Sequence, residues 1–314
     1  MHWSKIFFDV FGGLGLFLLG MKFMSEGMQK VAGSRLRKIL HFLTSNRFMG
    51  VGIGFLVTAL IQSSSATTVM VVGFVNAELL NVTQAIGVIL GANIGTTVTG
   101  WIVTLKVVSY SLPLIGTGVL VRFVGPNDTW KYLGEVVFGF GMLFLGMSIM
   151  SNGFAPLRDY PGFIEMFMRV SGETYGSVLF GVLIGTVTTL VVQSSSATTG
   201  ITIALAAQGM LTFQGAIALV LGINIGTTIT AILAAIGTNH NAKRAALAHT
   251  LFNVLGVVLT LMVFYPFCHF DDAVIQGDPD FLVRTAADAQ AYDTVIGTKP
   301  FLVRHIALAQ PLFK

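Results

Sequence analysis

Long apolar runs alternate with short polar segments along the chain, and several of them are long enough to cross a membrane. The first is residues 6–28, and a helix of about 20 residues spans a hydrocarbon core of roughly 30 Å. Because this run lacks a small-residue cleavage site, we expect a retained helix and not a signal peptide. Further spans are predicted at residues 107–124, 138–152 and 245–264.

Four other apolar segments are interrupted by polar residues. Residues 48–80 and 177–210 are apolar on both sides of a hydroxyl-rich centre, and each arm of the first has only about 12–14 residues. Since such arms are too short to span, we predict two re-entrant hairpins. Residues 82–106 and 211–237 predict spanning helices broken near their middle, the first at 91–97.

The centre of each hairpin carries the same heptad, Gln-Ser-Ser-Ser-Ala-Thr-Thr, which begins at Gln62 and again at Gln193. A second motif, Gly-x-Asn-Ile-Gly-Thr-Thr, begins at Gly91 and at Gly222. Both recur at an offset of 131 (193 − 62 and 222 − 91), so one structural unit is used twice. The predicted organisation is two repeats and a C-terminal tail: residues 1–125, 126–266 and 267–314.

Charge placement predicts how the repeats are oriented. Segment 30–47 is strongly basic, whereas its counterpart 154–176 balances basic with acidic side chains. The positive-inside rule places the first segment in the cytoplasm and exerts no such pull on the second. Equivalent loops then lie on opposite sides, which predicts two inverted-topology repeats, each with three spanning helices (one of them broken) plus a re-entrant hairpin. The basic residues of the first segment are Lys30, Arg35, Arg37, Lys38 and Arg47.

The tail is acidic, which suits the outer face of the membrane. Its last residues, 304–313, resemble 244–252 at the start of the last predicted span. This similarity favours a chain that ends just inside a further helix.

Composition agrees with an all-α, polytopic membrane protein. Hydrophobic residues make up 54% of the chain and charged residues 10%, with a mean hydropathy of +0.80; soluble domains carry roughly 25% charged residues. The single cysteine, Cys268, excludes an intrachain disulfide.

The doubled motif predicts a binding site built from neutral groups. Broken helices and hairpin tips expose N–H groups that favour anions, and carbonyl and hydroxyl oxygens that favour a small hard cation. Glu78 is the only charged residue in 48–105, and 177–236 contains none. A proton-coupled carrier usually needs a titratable group in its core, so sodium is the favoured coupling ion. His249 and Asn253, four residues apart, are expected to form an interior pair in preference to contacting a ligand.

The doubled Gln-Ser-Ser-Ser, each followed by Gly-x-Asn-Ile-Gly-Thr-Thr, resembles the type II sodium–phosphate cotransporter family in its bacterial branch. The resemblance covers residues 13–266. It implies sodium-coupled symport of inorganic phosphate by alternating access at a midplane site, in a multi-pass protein of the cell inner membrane. It also implies no cofactor besides sodium as the coupling ion, and no nucleic-acid partner.

The resemblance assigns two sets of site residues. The residues expected to bind phosphate are the two tips: Gln62, Ser63, Ser64, Ser65, Gln193, Ser194, Ser195 and Ser196. The residues expected to bind sodium are hydroxyl and amide side chains of both copies: Ser65, Thr68, Asn93, Thr96, Thr97, Ser196, Thr199, Asn224, Thr227 and Thr228.

Two alternatives stay open on the sequence. One is a carrier for another small oxyanion or an organic acid, and the other is a non-transporting membrane scaffold or sensor. An enzyme is not expected, because the chain has no Gly-x-Ser-x-Gly elbow and no metal-ligand cluster, and residues 91–97 lack the lysine of a phosphate-binding loop.

Overall fold

The computed structural model describes residues 3–32, 47–104, 110–158, 160–292, 294 and 298–313. Over these residues the chain is helical and contains no strand, as predicted. The helices are α1 Trp3–Ala32, α2 Arg47–Ile61, α3 Ser64–Asn76, α4 Val82–Gly95, α5 Thr97–Thr104, α6 Ser111–Val124, α7 Asp128–Phe154, α8 Pro161–Met168, α9 Tyr175–Val192, α10 Ser195–Ala207, α11 Phe213–Gly226, α12 Ile229–Ala234, α13 His240–Met262, α14 Phe264–Val274, α15 Ala286–Ala291 and α16 Leu302–Phe313.

Six helical stretches of the described chain are long and apolar enough to cross a membrane, which confirms a polytopic membrane protein. They are Trp3–Ala32, Val82–Ile102, Asp128–Leu157, Tyr175–Val192, Phe213–Ala234 and His240–Met262. Two details differ from the sequence-based expectation: the described part of the span predicted at 107–124 is the 14-residue α6, and α9 has 18 residues, more than the short hairpin arm of the first copy. Most of the basic segment, 33–46, lies outside the described residues, so its cytoplasmic location stays a prediction.

The chain forms two compact units. The N-unit comprises Phe17–Leu145 and Thr227–Gly256, and the C-unit comprises Met1–Leu16, Gly146–Gly226 and Val257–Phe313. Each unit contains one of the two Gln-Ser-Ser-Ser segments. Helices α1 and α7 each contribute to both units. Residues 3–16 of α1 and 146–154 of α7 belong to the C-unit, and the rest of each helix belongs to the N-unit.

Glycines let α2 and α4 pack backbone against backbone in the N-unit. A Cβ added to Gly54 would overlap the carbonyl of Val88, and one added to Gly91 would overlap the carbonyl of Val51. Farther along α4, a Cβ on Gly95 would lie 2.6 Å from the carbonyl oxygen of Phe55. The end of α2 is therefore held firmly against α4.

The C-unit repeats this packing with α9 and α11. Gly185 meets the carbonyl of Leu219, Gly222 meets that of Val182, and a Cβ on Gly226 would lie 2.7 Å from the carbonyl oxygen of Thr186. These three glycines lie 131 residues after Gly54, Gly91 and Gly95. The sequence repeat is thus also a repeat of local structure.

The break predicted within 91–97 is narrower than expected. Helix α4 ends at Gly95, and only Thr96 separates it from α5, with φ −63° and ψ −26°. Its backbone therefore stays right-handed helical. The Thr96 hydroxyl donates to the carbonyl of Ala92 (3.1 Å), and the Thr97 hydroxyl donates to that of Ile94 (2.7 Å). Hydroxyl-to-carbonyl bonds of this kind occur within helices and can bend them.

A buried carboxylate joins three helices of the N-unit. Glu135 of α7 is 4% exposed and forms ion pairs with Lys30 of α1 (2.8 Å) and with Arg122 of α6. Removing a single partner from such a buried group would leave an uncompensated charge.

The C-terminal tail, as far as it is described, belongs to the C-unit. It forms hydrogen bonds with the loop between α10 and α11. The ammonium of Lys299, 9% exposed, donates to the carbonyl of Leu211 (3.0 Å) and to Asp280 (2.5 Å). The same Asp280 oxygen accepts from the backbone N–H of Phe213 (3.2 Å), the first residue of α11. The tail thus caps a helix that leads to the second Gly-x-Asn motif.

We expect Gly54→Ala to lower the thermal stability of the purified protein. The added Cβ meets backbone that cannot rotate away, and overpacking of this kind costs about 1–3 kcal/mol. Gly52→Ala on the same helix is the matched control, because nothing lies within 4 Å of its Cβ position. Equal melting temperatures for the two variants would contradict the close packing of α2 on α4.

A second stability prediction concerns Asp271 in α14, whose two carboxylate oxygens are buried without hydrogen-bond partners. Burial, with a smaller effect of neighbouring Asp272, raises the pKa of Asp271 to about 7. Because folding favours its protonated form, the stability it contributes is fully present below its unfolded pKa near 4 and is lost as the pH rises through about 7.

We therefore expect Asp271→Asn to raise the melting temperature at pH 8 and to change it little at pH 4. Thermal melts across this pH range measure the effect, with exposed Asp278→Asn as the control. A variant that is less stable than wild type at pH 8 would show that the folded protein needs the carboxylate ionised.

Candidate functional site

The two Gln-Ser-Ser-Ser segments share an unusual backbone. Gln62 and Gln193 have φ values of 58° and 54°, in the left-handed region that non-glycine residues rarely adopt. Each stops its helix, and its N–H donates to a threonine carbonyl one turn earlier, Thr58 (2.7 Å) or Thr189 (2.8 Å). Strain of this kind persists where the surrounding structure enforces it, and it concentrates at functional sites. Its occurrence at the same position of both copies makes the tips candidate sites.

A serine caps the helix that starts after each turn. Ser63 accepts from the N–H of Ala66 (3.1 Å) at the start of α3, and Ser194 accepts from that of Ala197 (3.2 Å) at the start of α10. The remaining two serines of each motif lie in the first turn, where the positive end of the helix dipole favours an anion.

The first tip is buried and cross-linked within the N-unit. Gln62 is 4% exposed; its Oε1 accepts from the hydroxyl of Thr99 (2.9 Å), and its Nε2 donates to the carbonyl of Ala59 (2.5 Å). The hydroxyls of Thr58 and Thr67 bond each other at 2.9 Å. Hydrogen bonds thus connect the tip to α5 and fix the glutamine side chain.

Two predicted ligand residues in the N-unit carry buried polar atoms that make no hydrogen bond. These are the hydroxyl oxygen of Thr68, 1% exposed, and the amide nitrogen of Asn93, 3% exposed. A buried polar group without a partner costs about 1–3 kcal/mol, so native proteins rarely keep one without a reason. A bound ligand would satisfy both atoms.

The His249–Asn253 pair makes a contact that its prediction did not include. Asn253 bonds the backbone carbonyl of His249 (2.9 Å), whereas the imidazole of His249 reaches Asn93 of α4, with Nε2 at 3.3 Å from Oδ1. His249 is 1% exposed, and the alanines of α13 that precede it pack into the same hydrophobic core as α2, α3 and α4. Both residues are buried, as expected, but the contact of His249 with Asn93, a predicted site residue, is one that the sequence did not specify.

The second tip differs in exposure. Gln193 is exposed, whereas Ser196 is buried at 8% exposure. Thr199 is half-buried on α10, and Asn224 of α11 is 6% exposed, with its Nδ2 donating to the carbonyl of Val220 (3.0 Å). Thr227 and Thr228 are buried, but they belong to the N-unit.

Neither a multi-ligand metal centre nor a basic pocket accompanies the tips. The described residues contain no group of three His, Cys, Asp or Glu side chains that could hold a metal ion. A cavity of about 720 Å³ in the C-unit is lined mainly by apolar side chains of α8–α11; it contacts Thr198 and Thr202 of α10 but neither Gln193 nor its serines. This cavity is therefore not part of the second tip.

Comparison with known proteins gives the family. The Na+/Pi-cotransporter family model matches residues 16–152 and 163–268. An uncharacterized protein of Bacillus subtilis, YqeW, is 34% identical over 245 residues, 78% of each chain. No solved structure matches.

Two further relatives carry functional names. The "Putative inorganic phosphate export protein YjbB" of Escherichia coli K12 is 31% identical over 256 residues, which cover 82% of this chain and 46% of that protein. The human "Sodium-dependent phosphate transport protein 2B" is 42% identical over 96 residues, 30% of this chain and 14% of that protein. This chain thus spans about half the length of the first of these and much less of the second, and both are named as transport proteins, not enzymes.

The six candidate spans, the doubled Gln-Ser-Ser-Ser tips and a family match across most of the sequence lead to one conclusion: the chain belongs to the Na+/Pi-cotransporter family.

Proposed function

We propose that this protein is a sodium-coupled symporter of inorganic phosphate in the cell inner membrane. The observation that carries the proposal is the repeated tip, in which a left-handed glutamine precedes a serine-capped helix. The family match supports phosphate as the substrate.

Phosphate would be bound by neutral donors. The serine hydroxyls, the glutamine amides and the backbone N–H groups of the first turns of α3 and α10 can each donate to phosphate oxygens. No Lys or Arg lies within 48–105 or 177–236. Because such a site has no fixed positive charge, a cation bound beside it would offset part of the charge of the anion, and for this reason we assign sodium a role in phosphate binding.

Sodium would be held by oxygen atoms. The hydroxyls of Thr96 and Thr97 donate to backbone carbonyls, so their oxygens still offer lone pairs to a cation. The partnerless Thr68 oxygen is a further ligand. In the proposed alternating-access cycle sodium binds first, orders these oxygens and lowers the cost of dehydrating phosphate.

Export is the second candidate direction. It is favoured by one observation, the name of the YjbB relatives as putative phosphate exporters. Both directions can use the same binding chemistry, but a symporter moves phosphate the same way as sodium, so an inward sodium gradient drives uptake and export requires an outward phosphate gradient.

The test is transport of radiolabelled phosphate in proteoliposomes of known protein orientation, under sodium or potassium gradients. We expect transport that requires sodium and falls at least about tenfold in Gln62→Ala and in Gln193→Ala, because a hydrogen bond to a charged group contributes about 1.5–3 kcal/mol. Gln290→Ala, an exposed glutamine of α15, is the matched control.

Transport that is equally fast in potassium would contradict sodium coupling. Full activity in both Gln62→Ala and Gln193→Ala would contradict the proposal that the tips bind phosphate. Competition by sulfate or dicarboxylates stronger than that by unlabelled phosphate would assign a different cargo.

A further inference from the structure

The two equivalent asparagines of the repeat make different contacts. Asn93 and Asn224 occupy the same position in the Gly-x-Asn-Ile-Gly-Thr-Thr motif, 131 residues apart. Each is buried near the end of a glycine-packed helix, α4 or α11. An amide has one donor end and one acceptor end, so what it offers to a ligand depends on which end its neighbours use.

In the N-unit the acceptor end of Asn93 is used. Its Oδ1 lies 3.3 Å from Nε2 of His249, and its Nδ2 makes no hydrogen bond although it is fully buried. An imidazole that carries a proton on Nε2 donates to Oδ1. The two N–H bonds of Nδ2 are then the part of Asn93 that is available to a ligand.

In the C-unit the donor end of Asn224 is used. Its Nδ2 donates to the carbonyl of Val220 one turn earlier in α11, at 3.0 Å. One of the two N–H groups of Nδ2 is thus engaged within α11, and the amide oxygen is the end of Asn224 that suits a cation.

These contacts assign opposite ligands to the two residues. We propose that Asn93 donates to an oxygen of phosphate, that Asn224 binds sodium through its amide oxygen, and that His249 is the positioning residue that fixes the orientation of Asn93. This inference rests on the proposed function and refines it, because the sequence-based expectation assigned both asparagines to sodium.

The two roles differ because the N–H end of an amide attracts anions and its oxygen end attracts cations. Placing Oδ1 against a phosphate oxygen would oppose two lone pairs in a buried site, where an unmet or repulsive polar contact is most costly. An amide oxygen is a normal ligand for a hard cation, and an amide nitrogen with its protons is not.

Aspartate substitutions separate the two roles. Asn93→Asp replaces the donor with a carboxylate oxygen, so we expect the affinity for radiolabelled phosphate at saturating sodium to fall at least about tenfold. Sodium alone, without phosphate, should still raise the melting temperature of this variant, since ligand binding to the folded state stabilises it. Asn224→Asp keeps an oxygen, and sodium alone should stabilise it at least as strongly as wild type, whereas Asn224→Ala should lose that stabilisation.

Substitutions at His249 test positioning. His249→Gln keeps an N–H donor that can reach Asn93, and we expect phosphate affinity close to that of wild type. His249→Leu removes the donor and should weaken phosphate binding while the sodium-induced rise in melting temperature is retained. A purely structural role for His249 would lower the basal melting temperature and weaken both ligands together.

Two results overturn the proposal. The first is that Asn93→Asp and Asn224→Ala lose the sodium-induced rise in melting temperature equally, while Asn93→Asp keeps its affinity for phosphate. That result would mean that both asparagines bind sodium. The other is equal phosphate affinity in the Gln and Leu variants of His249. If the wild-type protein binds neither sodium nor phosphate, the proposed function itself is wrong. This outcome differs from the two results above, which contradict only the roles assigned to the asparagines and to His249.

Discussion

Polar groups buried in a membrane protein must be paired, because hydrocarbon offers them no water, and the arrangement of each motif follows from this constraint. A helix that ends at membrane depth leaves backbone groups to satisfy. In the N-unit the turn at Gln62 returns its N–H to Thr58, and Ser63 caps the next helix. The glycines of α2 and α4 let the two helix backbones pack in direct contact. What stays unpaired, the Thr68 oxygen and the Asn93 nitrogen, is what a ligand would pair.

The duplication shows which parts of this arrangement are required and which are free to vary. The left-handed glutamine, the serine cap and the three glycine contacts occur in both copies. The burial of the glutamine and the hydrogen bonds of the asparagine differ between copies. The same local scaffold thus carries different chemistry in the two copies.

Local features of the sequence predicted a large part of the fold. Apolar run lengths, the offset of 131 and the placement of polar residues were sufficient for an all-helical membrane protein with two polar turns. The helix break was predicted too wide, since only Thr96 separates α4 from α5, and its hydroxyl bonds a preceding carbonyl. The pattern of residues along one helix does not show which carbonyls the threonine hydroxyls will bond.

Contacts between distant helices could not be predicted in the same way. His249 meets Asn93 across 156 residues, and Glu135 meets Lys30 across 105. Neither pair has a spacing that a helical or strand period would reveal. The inverted orientation of the repeats and the sides of the loops also stay predictions, because they depend on a membrane as well as on the chain.

A direct test of the proposed site is equilibrium binding of radiolabelled phosphate to the purified protein, in sodium and in choline at equal ionic strength. It is independent of transport direction and of orientation in vesicles. Our proposal is that binding is saturable and requires sodium, because a bound cation offsets the charge of the anion in a site that has no Lys or Arg. Equal binding in choline, or none in folded protein with sodium present, would contradict it.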